Sequence, residues 1–129
     1  MRIEHIAIWT SNLERLKDFY ETYFQAKASS KYVNSKKGFE SYFLNFKSEA
    51  RLEIMFLPDL IDDNNCKSSL VAGYAHLAIS TGSKENVDNI TIQLEKDGFN
   101  LVDGPRYTGD GYYESVVLDP DGNRIEITT

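Results

Sequence analysis

Hydrophobic and polar residues alternate in several short stretches of this chain, and two of those stretches resemble each other. The segment from Glu4 to Ile8 (EHIAI) recurs from Ala75 to Ile79 (AHLAI). A period of two residues is typical of a β-strand that packs on one face. The recurrence therefore predicts that the chain contains two copies of one structural unit.

A helix is predicted after each copy of this strand. In the first copy Ser11 and Glu14 have the spacing of a capping box, and in the second Ser83 is the predicted N-cap and Gly98 the C-terminal stop. Apolar side chains then recur at helical spacing. They are Leu13, Leu16, Tyr20 and Tyr23 in the first helix, with Phe19 and Phe24 beside them, and Val87, Ile90 and Leu94 in the second.

Three further strands are predicted after each helix. They cover residues 27–33, 39–46 and 51–57 in the first copy, and 100–102, 112–118 and 124–128 in the second. The Asp119–Gly122 segment (DPDG) is typical of a type I turn, so the last two strands should form a hairpin. Residues 58–73 are predicted to be a polar linker. The pattern therefore predicts an α+β fold, a single domain over residues 1–129 made of tandem βαβββ modules at 1–57 and 74–129.

Length and composition narrow the classes of function. The chain has 129 residues, which suits one compact domain, and its net charge of -6 disfavours binding to nucleic acid. No apolar run approaches the ~20 residues of a membrane-spanning helix, so no membrane association is expected. Cys66 is the single cysteine and cannot form a disulfide within the chain. A cytoplasmic location is the default expectation.

The candidate chemistry lies on equivalent strands of the two copies. His5 and His76 are the only histidines, and they stand 71 residues apart at the same position of the repeat. The last strand of each copy carries a glutamate between aliphatic neighbours, and these glutamates, Glu53 and Glu126, stand 73 residues apart. Alternate residues of a strand face opposite sides, so packing of the aliphatic residues against the helices sends all of these side chains to the other face of the sheet.

Two imidazoles and two carboxylates form a set of nitrogen and oxygen donors that suits a first-row divalent metal ion. Zinc or nickel is the expected ion, with cobalt, manganese or iron as alternatives. Four protein ligands leave coordination positions for a substrate, which is the mark of a catalytic rather than a structural site. Such an ion can hold neighbouring substrate oxygens, and a glutamate beside it can act as a general base.

A purely structural interpretation competes with the metal site. Taken singly, a histidine in a strand is more often a hydrogen-bonded structural residue, and a glutamate on a strand surface is usually only solvated. The agreement between the two copies favours the metal site, because both histidines are in register and each has a glutamate in register with it.

At these residues the sequence resembles the vicinal oxygen chelate superfamily, the group of glyoxalases, bleomycin resistance proteins and dioxygenases. The resemblance covers nearly the whole chain and rests on His5–Ile8, Leu13–Tyr20, Leu52–Ile54, His76–Ile79 and Leu118–Glu126. It implies paired βαβββ modules that form a cupped mixed sheet around a metal ion, often in a homodimer. His5, Glu53, His76 and Glu126 match the ligand pattern of glyoxalase I, in which a ligand glutamate moves a proton between adjacent carbons of a hemithioacetal.

Related families with this fold differ at the position of Glu53. Fosfomycin-resistance thiol transferases and extradiol dioxygenases have a site of two histidines and one glutamate and need no acidic residue at this position. Methylmalonyl-CoA epimerases usually carry Gln at the same position. The resemblance thus implies a metal-dependent, glyoxalase I-like lyase acting on a small-molecule substrate, with Glu126 and Glu53 as candidate catalytic residues. The alternatives are a fosfomycin-type thiol transferase that opens an epoxide, and a metal-free drug-binding module of the bleomycin-resistance type.

One residue departs from the glyoxalase I pattern. Bacterial glyoxalase I usually has an arginine four residues after the first histidine, where it helps to bind the glutathione carboxylate, and this chain has Trp9. An indole cannot make a bidentate carboxylate contact, which puts glutathione in question as the cosubstrate. Trp9 should share the face of His5, where it forms an apolar wall or simply packs.

Overall fold

The computed structural model of the chain describes residues 2–60 and 73–129. Over these residues the chain forms two helices and nine strands, which confirms the predicted α+β class. Packing divides the chain into two compact units, Met1–Asp62 and Asp63–Thr129. Most of the predicted linker 58–73, with Cys66, lies outside the described residues. In the described part of the chain, neither helix is long and apolar enough to cross a membrane.

The first unit is a mixed sheet with one helix against it. Its elements are β1 (His5–Trp9), α1 (Leu13–Phe24), β2 (Lys27–Ala28), β3 (Tyr32–Asn34), β4 (Phe39–Asn45) and β5 (Arg51–Phe56). The strand order is β1-β5-β4-β2, and β3 also pairs with β4. Only β1 and β5 run parallel among these pairs. The helix α1 carries the chain from β1 to β2 at the opposite edge of the sheet, and β4 and β5 then follow in antiparallel order.

The second unit repeats this arrangement with fewer strands. Its elements are β6 (Leu77–Ser80), α2 (Lys84–Lys96), β7 (Leu101–Tyr107), β8 (Tyr113–Leu118) and β9 (Arg124–Thr128). The strand order is β6-β9-β8-β7, with β6 parallel to β9 and the other pairs antiparallel. The β8–β9 hairpin follows the predicted turn at Asp119–Gly122.

Each sheet packs one face against its helix. In β5, Leu52 and Ile54 are buried, and in β9 the equivalent Ile125 and Ile127 are fully buried. Burial of each such side chain contributes about 1.5–3 kcal/mol. The helix residues buried against them are Leu13, Leu16, Phe19, Tyr20 and Phe24 in α1, and Val87, Thr91 and Leu94 in α2. The opposite face of each sheet, called the helix-free face below, is where the intervening residues lie.

Helix ends agree with the sequence in one unit and differ in the other. Ser83 caps α2 through its hydroxyl, which accepts from the backbone of Asn86, and Gly98 follows the last turn at φ +90°, as predicted. The predicted capping box with Ser11 is wrong, because the Asn12 side chain caps α1 instead by accepting from the backbone of Arg15. Asn is as good an N-cap as Ser, so the sequence allowed either register.

Two predicted strands also differ from the structure. The strand predicted at 27–33 is divided into β2 and β3. The strand predicted at 100–102 extends to Tyr107, because β7 absorbs Gly104 and Pro105 in a bulge against β8. A Cβ at residue 104 would lie 2.5 Å from the carbonyl oxygen of Glu114, so only glycine allows this close approach. The bulge therefore fixes the position of β7 beside Glu114.

Candidate metal centre

His5 and Glu53 come together on the helix-free face of the first unit. Strands β1 and β5 are parallel, with Ala7 opposite Glu53, so His5 and Glu53 lie on neighbouring strands of one face. The His5 Nε2 atom is 3.9 Å from Glu53 Oε2, and the glutamate side chain is only 16% exposed. On the other face Ile6 stays 37% exposed because β1 is an edge strand of this sheet, so its predicted packing against the helix is incomplete.

His76 and Glu126 form the corresponding pair in the second unit. His76 lies immediately before β6 rather than inside it, and Ala78 stands opposite Glu126 across the parallel β6–β9 pair. The His76 Nε2 atom is 3.3 Å from Glu126 Oε2, and the glutamate side chain is 20% exposed. Within each unit the described residues contain no group of three His, Cys, Asp or Glu side chains arranged around a metal position. Each unit therefore offers one pair of donors.

The donor pairs fit a small divalent ion. Two ligands held at about 2.1 Å from one ion at tetrahedral or right angles are about 3.0–3.4 Å apart. The His76–Glu126 distance of 3.3 Å lies in that range, and the His5–Glu53 distance of 3.9 Å is slightly above it. Imidazole nitrogen and carboxylate oxygen are suitable donors for the first-row ions expected from the sequence. The union of both pairs around one ion stays a prediction.

Glu4 and Arg51 adjoin the first pair, and Glu4 was not predicted from the sequence. The Nδ1 atom of His5 donates to one carboxylate oxygen of Glu4, and the other oxygen accepts from the Arg51 guanidinium. The hydrogen bond from His5 and, after it, the one from Arg51 lower the pKa of the Glu4 carboxyl. Glu4 precedes the strand, and the alternation of side chains along a strand would place it on the same face as Ile6. The sequence pattern therefore did not predict that Glu4 contacts His5.

Glu114 adjoins the second pair and was also not predicted. It lies on β8, on the same face as Glu126 and one diagonal away in register, and burial together with the charge of Glu126 raises the pKa of its carboxyl. Arg106 on β7 stands opposite Glu114, but its guanidinium pairs with Asp103, with Nε 2.9 Å from Asp103 Oδ2. The second unit therefore has one additional carboxyl group, that of Glu114, beside its candidate ligand Glu126.

The first unit instead has aromatic rings on this face. Trp9, in the strand of His5, is 46% exposed and lies edge-on to Phe39 at 6.3 Å between ring centroids. Tyr32 contacts the same Phe39 ring at 6.0 Å. An apolar surface of this kind, beside polar donors, is what a small-molecule site requires.

Comparison with known proteins bears on the whole chain. The model of the glyoxalase/bleomycin resistance protein/dioxygenase superfamily matches residues 2–127. No curated protein matches the chain.

Several solved structures share the fold. Glyoxalase I from Zea mays is 20% identical with a TM-score of 0.80 over 98% of this chain, which spans 44% of the maize chain. The trypanothione-dependent glyoxalase I of Leishmania major is 22% identical with a TM-score of 0.77, and the match covers 98% of this chain and 85% of that one. A glyoxalase family protein from Enterococcus faecalis is 22% identical with a TM-score of 0.77, covering 99% and 97%. At these identities the likeness establishes the fold.

Proposed function

Because the chain belongs to the glyoxalase/bleomycin resistance protein/dioxygenase superfamily, we propose that it is a metal-dependent lyase or isomerase of the glyoxalase I type. Its substrate is a small molecule with neighbouring oxygens, such as a hemithioacetal. The observation that carries the proposal is the presence of one His–Glu pair on the same face of each unit, His5 with Glu53 and His76 with Glu126.

In this proposal the four side chains are the ligands of one zinc or nickel ion, with cobalt, manganese or iron as alternatives. A bound divalent ion supplies a Lewis acid that stabilises negative charge on the substrate oxygens. The protein moves the proton: a carboxylate oxygen of Glu126 or Glu53 removes it from one substrate carbon and returns it to the neighbouring carbon. A well-placed base of this kind contributes a factor of about 10²–10⁴ to the rate.

Trp9 and Phe39 supply the apolar wall of the proposed substrate site. Trp9 stands where an arginine would bind the glutathione carboxylate, and it offers an indole ring edge-on to Phe39. Such a wall excludes water and packs against an apolar substituent. We therefore expect a thiol cosubstrate that lacks a carboxylate at this point.

The proposal is tested by reconstituting the purified protein with each candidate metal and assaying methylglyoxal with several thiols. Metal content is measured in parallel by elemental analysis. The expected result is about one ion per assembled site and an isomerase activity that is lost, together with the metal, in His76→Ala. A His76→Ala protein with full metal content and turnover would end the proposal.

Assembly of the site within one chain or across a homodimer can be read from a mixing experiment. His5→Ala and His76→Ala are each inactive in this proposal. If a site takes one pair from each of two chains, co-refolding the two variants creates some sites with all ligands and restores part of the activity. If each site uses one chain, the mixture stays inactive. Wild-type protein refolded in the same way controls for recovery.

A metal-free binding module is the second candidate, and the exposed aromatic residues Trp9 and Tyr32 favour it. Such a module would bind an apolar, planar compound without any metal requirement. Quenching of Trp9 fluorescence by the compound, unchanged after chelation and in Glu126→Gln, would select this candidate over the enzyme.

A further inference from the structure

On the helix-free face of the first unit, the His5 imidazole belongs to a closed ring of contacts with three other side chains. His5 Nδ1 forms a hydrogen bond with one carboxylate oxygen of Glu4, and the other oxygen accepts from Arg51. The Arg51 guanidinium carbon lies 4.1 Å from the centre of the Phe43 ring. The Phe43 ring in turn contacts the His5 imidazole edge-on, with 5.5 Å between ring centroids and an interplanar angle of 88°.

This ring of contacts determines which imidazole nitrogen carries the proton. An ionised carboxylate can only accept a hydrogen bond, so the hydrogen of a neutral His5 must be on Nδ1. The Nε2 atom, which lies 3.9 Å from Glu53 Oε2, then has a free lone pair. A metal ligand needs that lone pair, and a carboxylate on the other nitrogen is the usual way to fix both the tautomer and the ring orientation.

Arg51 and Phe43 are needed because Glu4 alone is weakly placed. Its side chain is 52% exposed, so water competes for the His5 hydrogen bond. The Arg51 guanidinium holds the second carboxylate oxygen, and stacking on Phe43 restricts the guanidinium itself. An ion pair this exposed contributes little to stability, so fold stability gives little reason for the arrangement.

The second unit provides the contrast. At the repeat position of Glu4 stands Ala75, which has no acceptor in its side chain, and Val116 stands opposite Glu126 where Phe43 stands opposite Glu53. Only the arginine recurs, as Arg124. The ring is therefore not a by-product of the repeated fold, because the repeat forms without it.

We propose that Glu4, Arg51 and Phe43 are positioning residues that hold His5 as the Nδ1–H tautomer with Nε2 aimed at Glu53, ready to bind the metal. The role of this arrangement in metal binding rests on the proposed function. The tautomer of His5 does not, because it is a property of the metal-free protein. Glu4 is the central residue, since its two carboxylate oxygens form hydrogen bonds with His5 and with Arg51.

The test compares Glu4→Gln with Glu49→Gln. His5 and Arg51 contact different oxygens of Glu4, and Gln replaces one of these oxygens with an NH2 donor, so the variant breaks the ring without a change of size. Glu49 pairs with Arg2 at 3.0 Å on the surface of the same unit, and its substitution makes the same chemical change away from His5. The tautomer is read from imidazole nitrogen-15 shifts of metal-free protein at about pH 8.5, two pH units above the pKa of the imidazole in model peptides. His76 is the internal reference.

We expect wild type and Glu49→Gln to show His5 as the Nδ1–H tautomer, and Glu4→Gln to show a mixture, with His76 unchanged. Zinc affinity, measured by competition with a chelator, should fall about 10–100-fold in Glu4→Gln and stay at the wild-type value in Glu49→Gln. Arg51→Gln should produce a smaller change in the same direction. Unchanged His5 shifts in Glu4→Gln would overturn the proposal, and so would unchanged zinc affinity in a protein that binds zinc. A wild type that binds no zinc, yet shows the tautomer change, would reject the proposed function and keep the positioning of His5.

Discussion

In each unit a tyrosine of the sheet donates its hydroxyl hydrogen to a carboxylate of the helix that covers it. Tyr42 donates to Glu14 at 2.9 Å, and Tyr113 donates to Asp88 at 2.6 Å. A lysine pairs with each carboxylate and lies over the same tyrosine ring. The lysines are Lys17 in the first unit and Lys84 in the second. The helix-facing sides of the two units thus use the same contact, built from different acidic residues.

The helix-free faces differ much more. Beside its His–Glu pair the first unit has the Glu4 and Phe43 contacts and the exposed Trp9, whereas the second has Glu114 next to Glu126. Packing requires the same contacts from both helix-facing sides, because a helix must cover each sheet. The other face has no such requirement, so residues there can diverge toward separate tasks. In our proposal the first unit orients a ligand and supplies an apolar wall, and the second places the Glu114 carboxyl beside its ligand Glu126.

The largest expected effect comes from removing either glutamate of the proposed ligand set. Glu53→Gln and Glu126→Gln should each lower kcat by about 10²–10⁴ and weaken metal binding, because each loses an anionic ligand and a candidate base. Glu49→Gln is the matched control, since it makes the same change in an exposed ion pair with Arg2 and not in a proposed ligand. Kinetics and metal content of the reconstituted proteins provide the measurement.

A clear difference between Glu53→Gln and Glu126→Gln in metal content and turnover would show that the two units contribute unequally to the site. If Glu53→Gln kept full metal content and turnover while Glu126→Gln lost both, the first unit would contribute only His5 to the site. The resemblance would then move from glyoxalase I toward the families with two histidines and one glutamate.

The next effect concerns the apolar wall of the first unit. Trp9→Arg should raise the preference for the glutathione hemithioacetal over that of an uncharged thiol by about 10-fold or more, because a charge-assisted hydrogen bond contributes about 1.5–3 kcal/mol. The ratio of kcat/KM for the two substrates is the measurement. Trp9→Phe keeps an apolar ring and should leave the ratio near the wild-type value. An equal ratio in Trp9→Arg would mean that Trp9 does not face the thiol.

Much of the candidate site could be predicted from the repeat. The recurrence of EHIAI as AHLAI, combined with strand alternation, was enough to assign His5, Glu53, His76 and Glu126 to the face away from the helices, where the structure brings them together as two pairs. Alternation works for these residues because Leu52, Ile54, Ile125 and Ile127 are buried and so fix the orientation of their neighbours.

The other features of the structure depend on side-chain and backbone contacts, which the spacing of hydrophobic residues along the sequence does not predict. Strand alternation would place Glu4 on the same face as Ile6, yet its side chain extends around the end of the strand to contact His5 and Arg51. Gly104 and Pro105 normally interrupt a strand, but the bulge opposite Glu114 keeps them in β7. At α1 the choice between Ser11 and Asn12 depended on which side chain met the first free backbone N–H.

A smaller effect is expected at the buried contact of α2. Thr91 Oγ1 donates to the Val87 carbonyl at 2.7 Å and lies 2.6 Å from Ser115 Oγ, so Ser115 must donate to Thr91. Thr91→Val should lower the free energy of unfolding by about 1–3 kcal/mol, because the buried Ser115 hydroxyl loses its acceptor. The double variant Thr91→Val/Ser115→Ala should recover most of this loss. Denaturant unfolding measures both, and a Thr91→Val protein as stable as wild type would contradict the assignment.

The smallest effect tests the contact that the two units share. The hydrogen bonds from Lys17, then from Lys31 and Tyr42, lower the pKa of the Glu14 carboxyl from 4.5 to about 2. A carboxyl whose pKa is lower in the folded state stabilises the fold above its unfolded pKa, and this contribution disappears as the pH falls toward the folded value. The Glu14 side chain is 49% exposed. Solvent screening therefore limits the contribution to about 0.5–1 kcal/mol.

Glu14→Gln should therefore destabilise the protein by a constant amount above about pH 5, and by progressively less as the pH falls through the window between 4.5 and about 2. Asp88→Asn is the matched change in the second unit, where the hydrogen bond from Lys84 lowers the pKa of the Asp88 carboxyl in the same direction. Parallel unfolding curves of the two variants against pH would show that the helix-facing contacts are equivalent. A Glu14→Gln cost that grew as the pH fell would contradict the sign of the shift, since it would mean that the folded protein prefers the protonated carboxyl.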